Sequence, residues 1–321
     1  MTGGDADVGY KLICEEHGPN DLVEYAALAD ESAFDFAMIS DHFHPWTSAQ
    51  GESPLVWNVI GAIARATDDL PLGTAITCPT TRVHPAIVAQ AAATSATMLP
   101  GRFFLGVGTG EKLNEHVVGA RWPEHEVRLA KLEEAIEVIW TLWEGGAKSH
   151  HGEHFTVENA RLYTLPDEPP EIPVAADGPK AARLAGEKGD GLVAVRPSED
   201  LIDAFESAGG EGKPRYGELT VCYAEDEAVE LAHEIWPIEG LPGELMWVLP
   251  TPAHFEQAVQ SVTKEDIAES MVCGSDPDEH VAEIRSYVDA GFDHVAVHQV
   301  GPNQEGFVEF YEEAVLPVLE G

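Results

Sequence analysis

Short apolar runs alternate along the chain with longer segments in which apolar residues recur at helical spacing. The apolar runs of strand length lie at 8–14, 34–40, 70–78, 102–110, 172–176, 191–196, 219–224 and 294–300. The helical segments lie at 21–32, 85–98, 124–143, 180–188, 226–236 and 278–290. Because the short runs are apolar throughout, they are typical of parallel strands with both faces covered. We therefore predict an α/β fold, a single closed (β/α)₈ TIM-like barrel domain over residues 1–321.

Two segments interrupt this alternation. Residues 147–170 have the pattern of a β-hairpin, and residues 237–266 form a longer, proline-rich stretch. We predict that both are insertions in the barrel, each suited to a lid over the site or to an interface.

Acidic side chains outnumber basic ones by 57 to 18 and give a formal net charge of −39. This charge disfavours binding to nucleic acid, while a hydrophobic content of 44% is ample for a large core. So many carboxylates with so few lysines predict a halophilic protein, because concentrated salt screens their repulsion. No apolar run reaches membrane-spanning length, and the four cysteines lie far apart. We therefore expect a cytoplasmic protein with neither a zinc ribbon nor a disulfide framework.

The barrel prediction places the functional site where the strands end, because active sites of this fold gather there. Carboxylates, imidazoles and glycines occur at these ends and are expected to converge. They are found within Cys14 to Glu16, Asp41 and His42, Thr77 to Pro79, Gly108 to Glu111, Ala176 to Gly178, Arg196, Tyr223 and Ala224, and His298 and Gln299.

The stretch SDHFHPW, at residues 40–46, offers two imidazoles. His42 and His44 could bind a metal, but the fifth and sixth strands end without a further imidazole for such a site. His42 could also be a hydrogen-bonded core residue. Its place between Asp41 and Trp46 favours a third interpretation, a general base at the barrel mouth.

Glycines follow two other strands. Gly108 and Gly110 let a ligand approach the backbone closely, although a tight turn with a solvated Glu111 explains the same spacing. The segment AADGP opens a predicted helix at Gly178, where free N–H groups favour an anion that Asp177 would oppose.

Six blocks of the sequence, taken in order, resemble one known superfamily. The blocks read GYKLICEEHGP, SDHFHPW, GTAITCPTTRVHPAIVAQAAAT, GRFFLGVGTGEKLNEH, AADGP and GSDPDE. Together they resemble the luciferase-like flavin and deazaflavin oxidoreductases, nearest the group of F420-dependent glucose-6-phosphate dehydrogenases. The resemblance is close over residues 8–200 and looser beyond them. It implies an oxidoreductase that uses coenzyme F420, with FMN as the alternative cofactor, and a small-molecule substrate.

The resemblance also implies roles for individual residues. The implied catalytic residues are His42 as the base, Glu15 and Glu111 as carboxylates in proton transfer, and Trp46 on the substrate side. The implied cofactor-binding residues are Asp41, His42, Ala75, Ile76, Thr109, Gly110, Glu111, Asn114, Ala175, Ala176, Asp177 and Gly178. At Ala75 and Ile76 the family has a cis peptide bond that does not involve proline. No metal is implied.

The sequence departs from relatives that oxidise sugar phosphates. Those relatives bind the phosphate with Lys and Arg, whereas Glu269 and Ser270 stand here before the GSDPDE block and Arg196 is the cation close to the sixth strand. We therefore expect hydride transfer between F420 and the hydroxyl of an alcohol or unphosphorylated sugar, with Trp46 and Arg196 on the substrate side. The alternatives are an FMN-dependent monooxygenase or reductase and, more remotely, a metal-dependent barrel hydrolase. Barrels of this superfamily commonly dimerise, so we expect a homodimer.

Overall fold

The fold is described by a computed structural model, which covers residues 6–319. The strands are β1 (Asp7–Leu12), β2 (Phe36–Ile39), β3 (Leu72–Thr77), β4 (Phe103–Val107), β5 (Lys148–His151), β6 (Thr156–Ala160), β7 (Pro173–Ala175), β8 (Gly191–Ala194), β9 (Arg215–Cys222), β10 (Val272–Cys273) and β11 (His294–Gln299). The α-helices are α1 (Pro19–Asp30), α2 (Val56–Ala66), α3 (Pro85–Met98), α4 (Lys112–Glu115), α5 (His125–Trp143), α6 (Pro179–Lys188), α7 (Glu199–Phe205), α8 (Ala228–Ile235), α9 (Leu245–Val248), α10 (Pro252–Ala258), α11 (Lys264–Ser270), α12 (Pro277–Asp289), α13 (Gln304–Phe310) and α14 (Leu316–Leu319).

Eight parallel strands close into a barrel. They pair in the order β1, β2, β3, β4, β7, β8, β9 and β11, and β11 returns to β1 with Val295 opposite Val8. The short β10 extends the sheet beside β9. Helices follow the strands and bury apolar residues against the outside of the barrel, as Leu22 and Ala26 of α1 do. The predicted closed (β/α)₈ barrel is therefore confirmed.

Aromatic side chains fill the barrel near the amino-terminal ends of its strands. Phe36, Phe104 and Tyr216 form this packing, with the rings of Phe104 and Tyr216 stacked at a centroid distance of 5.0 Å. Gly73 makes room for it, because a Cβ atom there would lie 1.8 Å from the Phe104 ring. Open space is therefore left at the opposite end, where the strands finish.

Both segments that interrupt the alternation of strands and helices contain regular secondary structure. In the first, β5 and β6 form a separate antiparallel sheet. The second contains α9, α10 and the first three residues of α11. Phe255 of α10 shares an apolar cluster with Trp46, which follows β2, and with Ile13, which follows β1. The second segment therefore packs over the carboxyl ends of the first two strands.

One strand begins earlier than the apolar pattern indicated. The run at 219–224 corresponds to β9, which begins at Arg215. This earlier part of β9 contains two charged residues, Arg215 and Glu218. However, Arg215 pairs with Asp293 at 3.0 Å, and Glu218 pairs with Lys11 at 2.6 Å. Partners on neighbouring strands thus allow these charges to lie in the sheet.

Candidate active site

A cavity of about 1000 Å³ opens at the carboxyl ends of the barrel strands. It is lined by every residue to which the family resemblance or the substrate prediction gave a catalytic, cofactor-binding or substrate role. These residues are Glu15, Asp41, His42, Trp46, Ala75, Ile76, Thr109, Gly110, Glu111, Asn114, Ala175, Ala176, Asp177, Gly178 and Arg196. Within residues 6–319, the strand-end residues Glu16, Tyr223 and His298 are not part of the cavity wall.

His42 is held in the cavity wall by the carboxylate of Glu15. Its Nδ1 atom lies 3.3 Å from Glu15 Oε1 and 3.2 Å from the carbonyl oxygen of His44. Since both neighbours are acceptors, we infer that Nδ1 carries the proton and that Nε2 is the acceptor. The hydroxyl of Ser40 donates to Glu15 Oε2 at 2.5 Å and fixes the carboxylate. This arrangement prepares His42 to accept a proton at Nε2.

Trp46 forms an apolar wall beside the imidazole. The ring centroids of His42 and Trp46 are 5.0 Å apart, and Phe255 packs edge-on against the indole at 5.2 Å. The backbone N–H of Trp46 donates to Gln50 Oε1 at 2.7 Å, which anchors the loop. Further apolar lining comes from the chain after α8, through Trp236, Ile238, Leu241, Met246 and Trp247. The side of the cavity near the base is therefore largely aromatic and aliphatic.

A buried guanidinium, which the sequence analysis did not single out, connects three loops of the site. Arg82 Nη2 donates to Asp41 Oδ1 at 2.8 Å, and the backbone N–H of Arg82 donates to Glu115 Oε2 at 2.7 Å. Thr77 Oγ1 donates to the second oxygen of Asp41 at 2.9 Å. Burial opposes the charge of Arg82, but Asp41 and Glu115 outweigh it and raise the pKa of the guanidinium. Both carboxylate oxygens of Asp41 are thus bonded within the protein.

Asn114 links the loop of the base to Glu111. Its Oδ1 accepts from the backbone N–H groups of Phe43 at 2.9 Å and His44 at 3.3 Å. Its Nδ2 donates to Glu111 Oε2 at 3.3 Å. Asn114 is buried, so these bonds determine where the half-buried Glu111 faces the cavity.

An apolar shelf forms where β3, β4 and β7 meet. The peptide bond between Ala75 and Ile76 is cis, as the family resemblance implies. A side chain on Gly108 would displace the side chain of Ile76, because a Cβ atom would lie 1.9 Å from Ile76 Cδ1 and 3.3 Å from the Cβ of Ala175. Beneath the shelf, the buried Lys11 donates from Nζ to the carbonyl oxygen of Ala75 at 2.6 Å. Ala75, Ile76 and Ala175 line the cavity, and the apolar surface that they present is suited to a flat ring.

Charged groups surround the rim and walls. Asp177 and Arg196 are exposed, and Arg128 stacks over the Trp122 ring at 4.4 Å from its centroid. Ten of the lining side chains are carboxylic acids, whereas three are Lys or Arg. The potential inside the cavity is therefore expected to be negative.

The two imidazoles of SDHFHPW separate in the structure. His42 lines the cavity, whereas His44 Nδ1 lies 3.2 Å from the carbonyl oxygen of Leu113. Among the residues described, no group of three or more His, Cys, Asp or Glu is placed to hold a metal ion. Over the same range, 6–319, no helix has both the length and the apolar character needed to cross a membrane.

Several residues that organise the site were missed by sequence reasoning. Lys11 and Glu218 stand in otherwise apolar strands, and a charge in a buried strand is a usable signal of a partner. Arg82 follows the third strand in the stretch PTTRVHP, but no local pattern shows which carboxylates it meets. Glu239 lies at the start of the irregular second segment, where periodicity is uninformative, and Trp236 immediately precedes that segment.

Comparisons with known proteins identify the family of the chain. The model of the luciferase-like monooxygenase family matches residues 3–294. F420-dependent glucose-6-phosphate dehydrogenases of Nocardia farcinica and Kribbella flavida are 35% and 37% identical, covering 98% and 97% of this chain and 98% of each relative. An F420-dependent secondary alcohol dehydrogenase, solved with an F420–acetone adduct, superposes with a TM-score of 0.90 at 31% identity, covering 98% of this chain and 99% of that chain. The chain belongs to the luciferase-like monooxygenase family.

Proposed function

We propose that this protein is an F420-dependent oxidoreductase that acts on the CH–OH group of a neutral alcohol or sugar. The observation that carries the proposal is the hydrogen-bonded series Ser40, Glu15 and His42, which opens onto a cavity with an apolar shelf. The relatives support the cofactor and the reaction class, since they are named as F420-dependent dehydrogenases of glucose 6-phosphate and of a secondary alcohol.

The cavity fits a flat ring with a polar tail. Ile76 and Ala175 provide an apolar surface, and Gly108 and Gly110 keep side chains away from it; a Cβ atom on Gly110 would lie 2.7 Å from Cys78 Sγ. A volume of about 1000 Å³ is large for a small-molecule site and has room for a coenzyme and a small substrate together. When bound, the deazaflavin supplies the carbon that accepts a hydride or returns it.

His42 is the proposed base. Its Nε2 takes the proton of the substrate hydroxyl, while Glu15 Oε1 stabilises the imidazolium from the Nδ1 side. Glu111, held by Asn114, is the proposed carboxyl that exchanges the second proton at the ring. Trp46 covers one side of the imidazole and reduces the access of water.

A neutral substrate suits the electrostatics of the cavity better than a sugar phosphate. Of its three Lys and Arg residues, Lys11 is buried and already engaged by Ala75 and Glu218. A phosphate near Arg196 would gain one exposed guanidinium and would face several carboxylates. The relatives named for glucose 6-phosphate make that compound the direct competitor to test.

A cofactor and substrate screen tests the proposal. Purified protein in molar KCl is titrated with F420 and with FMN, and F420 reduction is then followed by the loss of its visible absorbance. We expect tight binding of F420, reduction with propan-2-ol or glucose, and a lower kcat/KM for glucose 6-phosphate than for glucose. Binding of FMN alone with oxygen consumption would establish the monooxygenase alternative. A higher kcat/KM for glucose 6-phosphate would refute the neutral-substrate part.

The proposed setting is a homodimer in a salt-rich cytoplasm. Leu55 and Ile87 are each 56% exposed and Met98 is 39% exposed, at α2 and α3. Such an apolar surface is suited to cover by a second copy. The double variant with Leu55→Asp and Ile87→Asp should be monomeric by light scattering and retain its far-ultraviolet circular dichroism, whereas a monomeric wild type would contradict the proposal.

A further inference from the structure

Glu239 is a carboxylate in the cavity wall that the proposed reaction does not use. Its Oε1 accepts hydrogen bonds from Trp236 Nε1 and from Thr220 Oγ1, both at 3.2 Å. Since both bonds reach Oε1, the second oxygen, Oε2, has no hydrogen-bond partner within residues 6–319. Burial raises the pKa of Glu239, although Trp236, His298 and Thr220 act in the opposite direction.

Glu239 also lacks a compensating cation. Within residues 6–319 no Lys or Arg forms an ion pair with Glu239, and the nearby carboxylate of Glu218, which is paired with Lys11, raises the pKa of Glu239 further. The neighbouring His298 packs on Trp236 at a centroid distance of 4.5 Å, but its Nε2 is bonded to Glu16 Oε1 at 3.1 Å. Glu239 is half-buried, and Oε2 is not among the enclosed polar atoms that lack a partner within residues 6–319. Because Glu239 lines the cavity, Oε2 is accessible to a ligand that donates a hydrogen bond.

Glu239 adjoins the wall that carries the base, while its neighbour Glu218 is paired with Lys11 beneath the shelf. Trp236, the hydrogen-bond partner of Glu239, shares an apolar cluster with Trp46, and the Trp46 ring lies 5.0 Å from the ring of His42. Ala75 of the shelf belongs to a different cluster. Glu239 is therefore part of the wall that carries the base.

We propose that Glu239 binds a second hydroxyl group of the substrate through Oε2, so that the preferred substrates are neutral diols, polyols or unphosphorylated sugars. This inference rests on the function proposed above. One substrate hydroxyl lies at His42 and loses its proton there, and another donates to Glu239. A hydrogen bond to an ionised acceptor is stronger than one between neutral groups, so the second contact favours a diol over a mono-alcohol. A phosphate at the same point would meet a carboxylate.

A matched pair of alcohols and a matched set of variants test this inference. The probes are propane-1,2-diol and propan-2-ol, which share a carbon skeleton and a secondary hydroxyl. The variants are Glu239→Leu, which removes the acceptor, and Glu239→Gln, which keeps an amide oxygen for the existing bonds. The control is Glu234→Leu, an exposed acid on α8 outside the cavity wall. F420-loaded protein is used for turnover and for calorimetric titration with each alcohol, and the Kd of F420 is measured for every variant.

We expect the wild type to prefer the diol both in affinity and in kcat/KM. Glu239→Leu should lower the diol to mono-alcohol ratio by roughly tenfold or more, Glu239→Gln should lower it less, and Glu234→Leu should not change it. The Kd of F420 should stay constant. The role of Glu239 would be overturned if Glu239→Leu left the diol to mono-alcohol ratio of kcat/KM unchanged, that is, if both alcohols lost equally. It would also be overturned if the wild type showed no preference for the diol. Absence of F420 reduction by either alcohol in the wild type would instead count against the proposed function, because the binding ratios still report on Glu239.

Discussion

Removing the Arg82 guanidinium should be among the most destabilising changes in this protein. The side chain of Arg82 is 8% exposed, and those of Asp41 and Glu115 are 1% and 0% exposed. In Arg82→Leu, Asp41 would keep the hydrogen bond from Thr77, and Glu115 would keep the bond from the backbone N–H of residue 82. Neither carboxylate would retain its positively charged partner.

The expected loss follows from this geometry. Breaking a buried ion pair by removing one partner costs about 3–5 kcal/mol, which at about 2 °C per kcal/mol is a fall in Tm of roughly 6–10 °C. Burial already raises the pKa of Glu115, and removal of Arg82 should raise it further. A carboxyl whose folded pKa exceeds its unfolded pKa destabilises the fold when it is ionised. The deficit of the variant should therefore be largest near neutral pH and should shrink as the pH falls and Glu115 binds a proton.

The assay is thermal unfolding of wild type and Arg82→Leu between about pH 5 and pH 8 at constant salt, with reversibility checked. Arg183→Leu, at an exposed position on α6, is the control and should shift the free energy of unfolding by about 0.5 kcal/mol or less. The proposed role of the buried ion pairs that Arg82 makes with Asp41 and Glu115 would be refuted by either of two results. One is a Tm loss in Arg82→Leu no larger than in the control, and the other is a Tm loss that grows as the pH falls.

Three further predictions concern the base, the shelf and the surface charge. His42→Ala should lower kcat by roughly 10²–10⁴-fold with little change in the Kd of F420. The control His44→Ala should leave kcat near the wild-type value. Loss of F420 binding in His42→Ala would make His42 a cofactor contact instead of the base. Gly108→Ala places a Cβ atom 1.9 Å from Ile76 Cδ1 and should weaken F420 binding in a fluorescence titration. The control Gly61→Ala, on α2, should not weaken it. Equal affinities of the two variants for F420 would show that the shelf is not part of the cofactor site. With a formal charge of −39, the Tm should rise steadily from low to molar KCl, and a Tm independent of salt would contradict the halophilic interpretation.

The barrel could be predicted because the apolar pattern of a buried strand is visible in a short stretch of sequence and recurs along the chain. Most positions in the eight apolar runs are buried, so each strand shows a nearly continuous apolar pattern, and amphipathic segments follow most of the strands. The start of β9 was harder to locate because Arg215 and Glu218 resemble loop residues in sequence. Their partners, Asp293 and Lys11, are far away along the chain and become neighbours only when the barrel closes.

The site likewise contains some residues that local sequence motifs predict and others that they do not. His42 and Glu111 occur in short motifs at strand ends, so their place in the cavity could be expected from sequence. The contacts of Arg82 with Asp41 and Glu115 could not be predicted, because they form only when the loops after β2, β3 and β4 meet. Glu239 follows α8 in a segment without regular periodicity, and its significance depends on Thr220 from β9. Long-range polar contacts of this kind leave no pattern in the local sequence.

The most direct test of the central claim is to follow one hydrogen atom. Enzyme loaded with F420 is mixed with propan-2-ol, or with propane-1,2-diol, that carries deuterium on its secondary carbinol carbon, and the reduced coenzyme is examined by mass spectrometry. Direct hydride transfer from the CH–OH group predicts one deuterium in the reduced deazaflavin and a slower rate than with the unlabelled alcohol. Reduced coenzyme without deuterium, or no reduction of F420 by either alcohol, would contradict the function proposed for this protein.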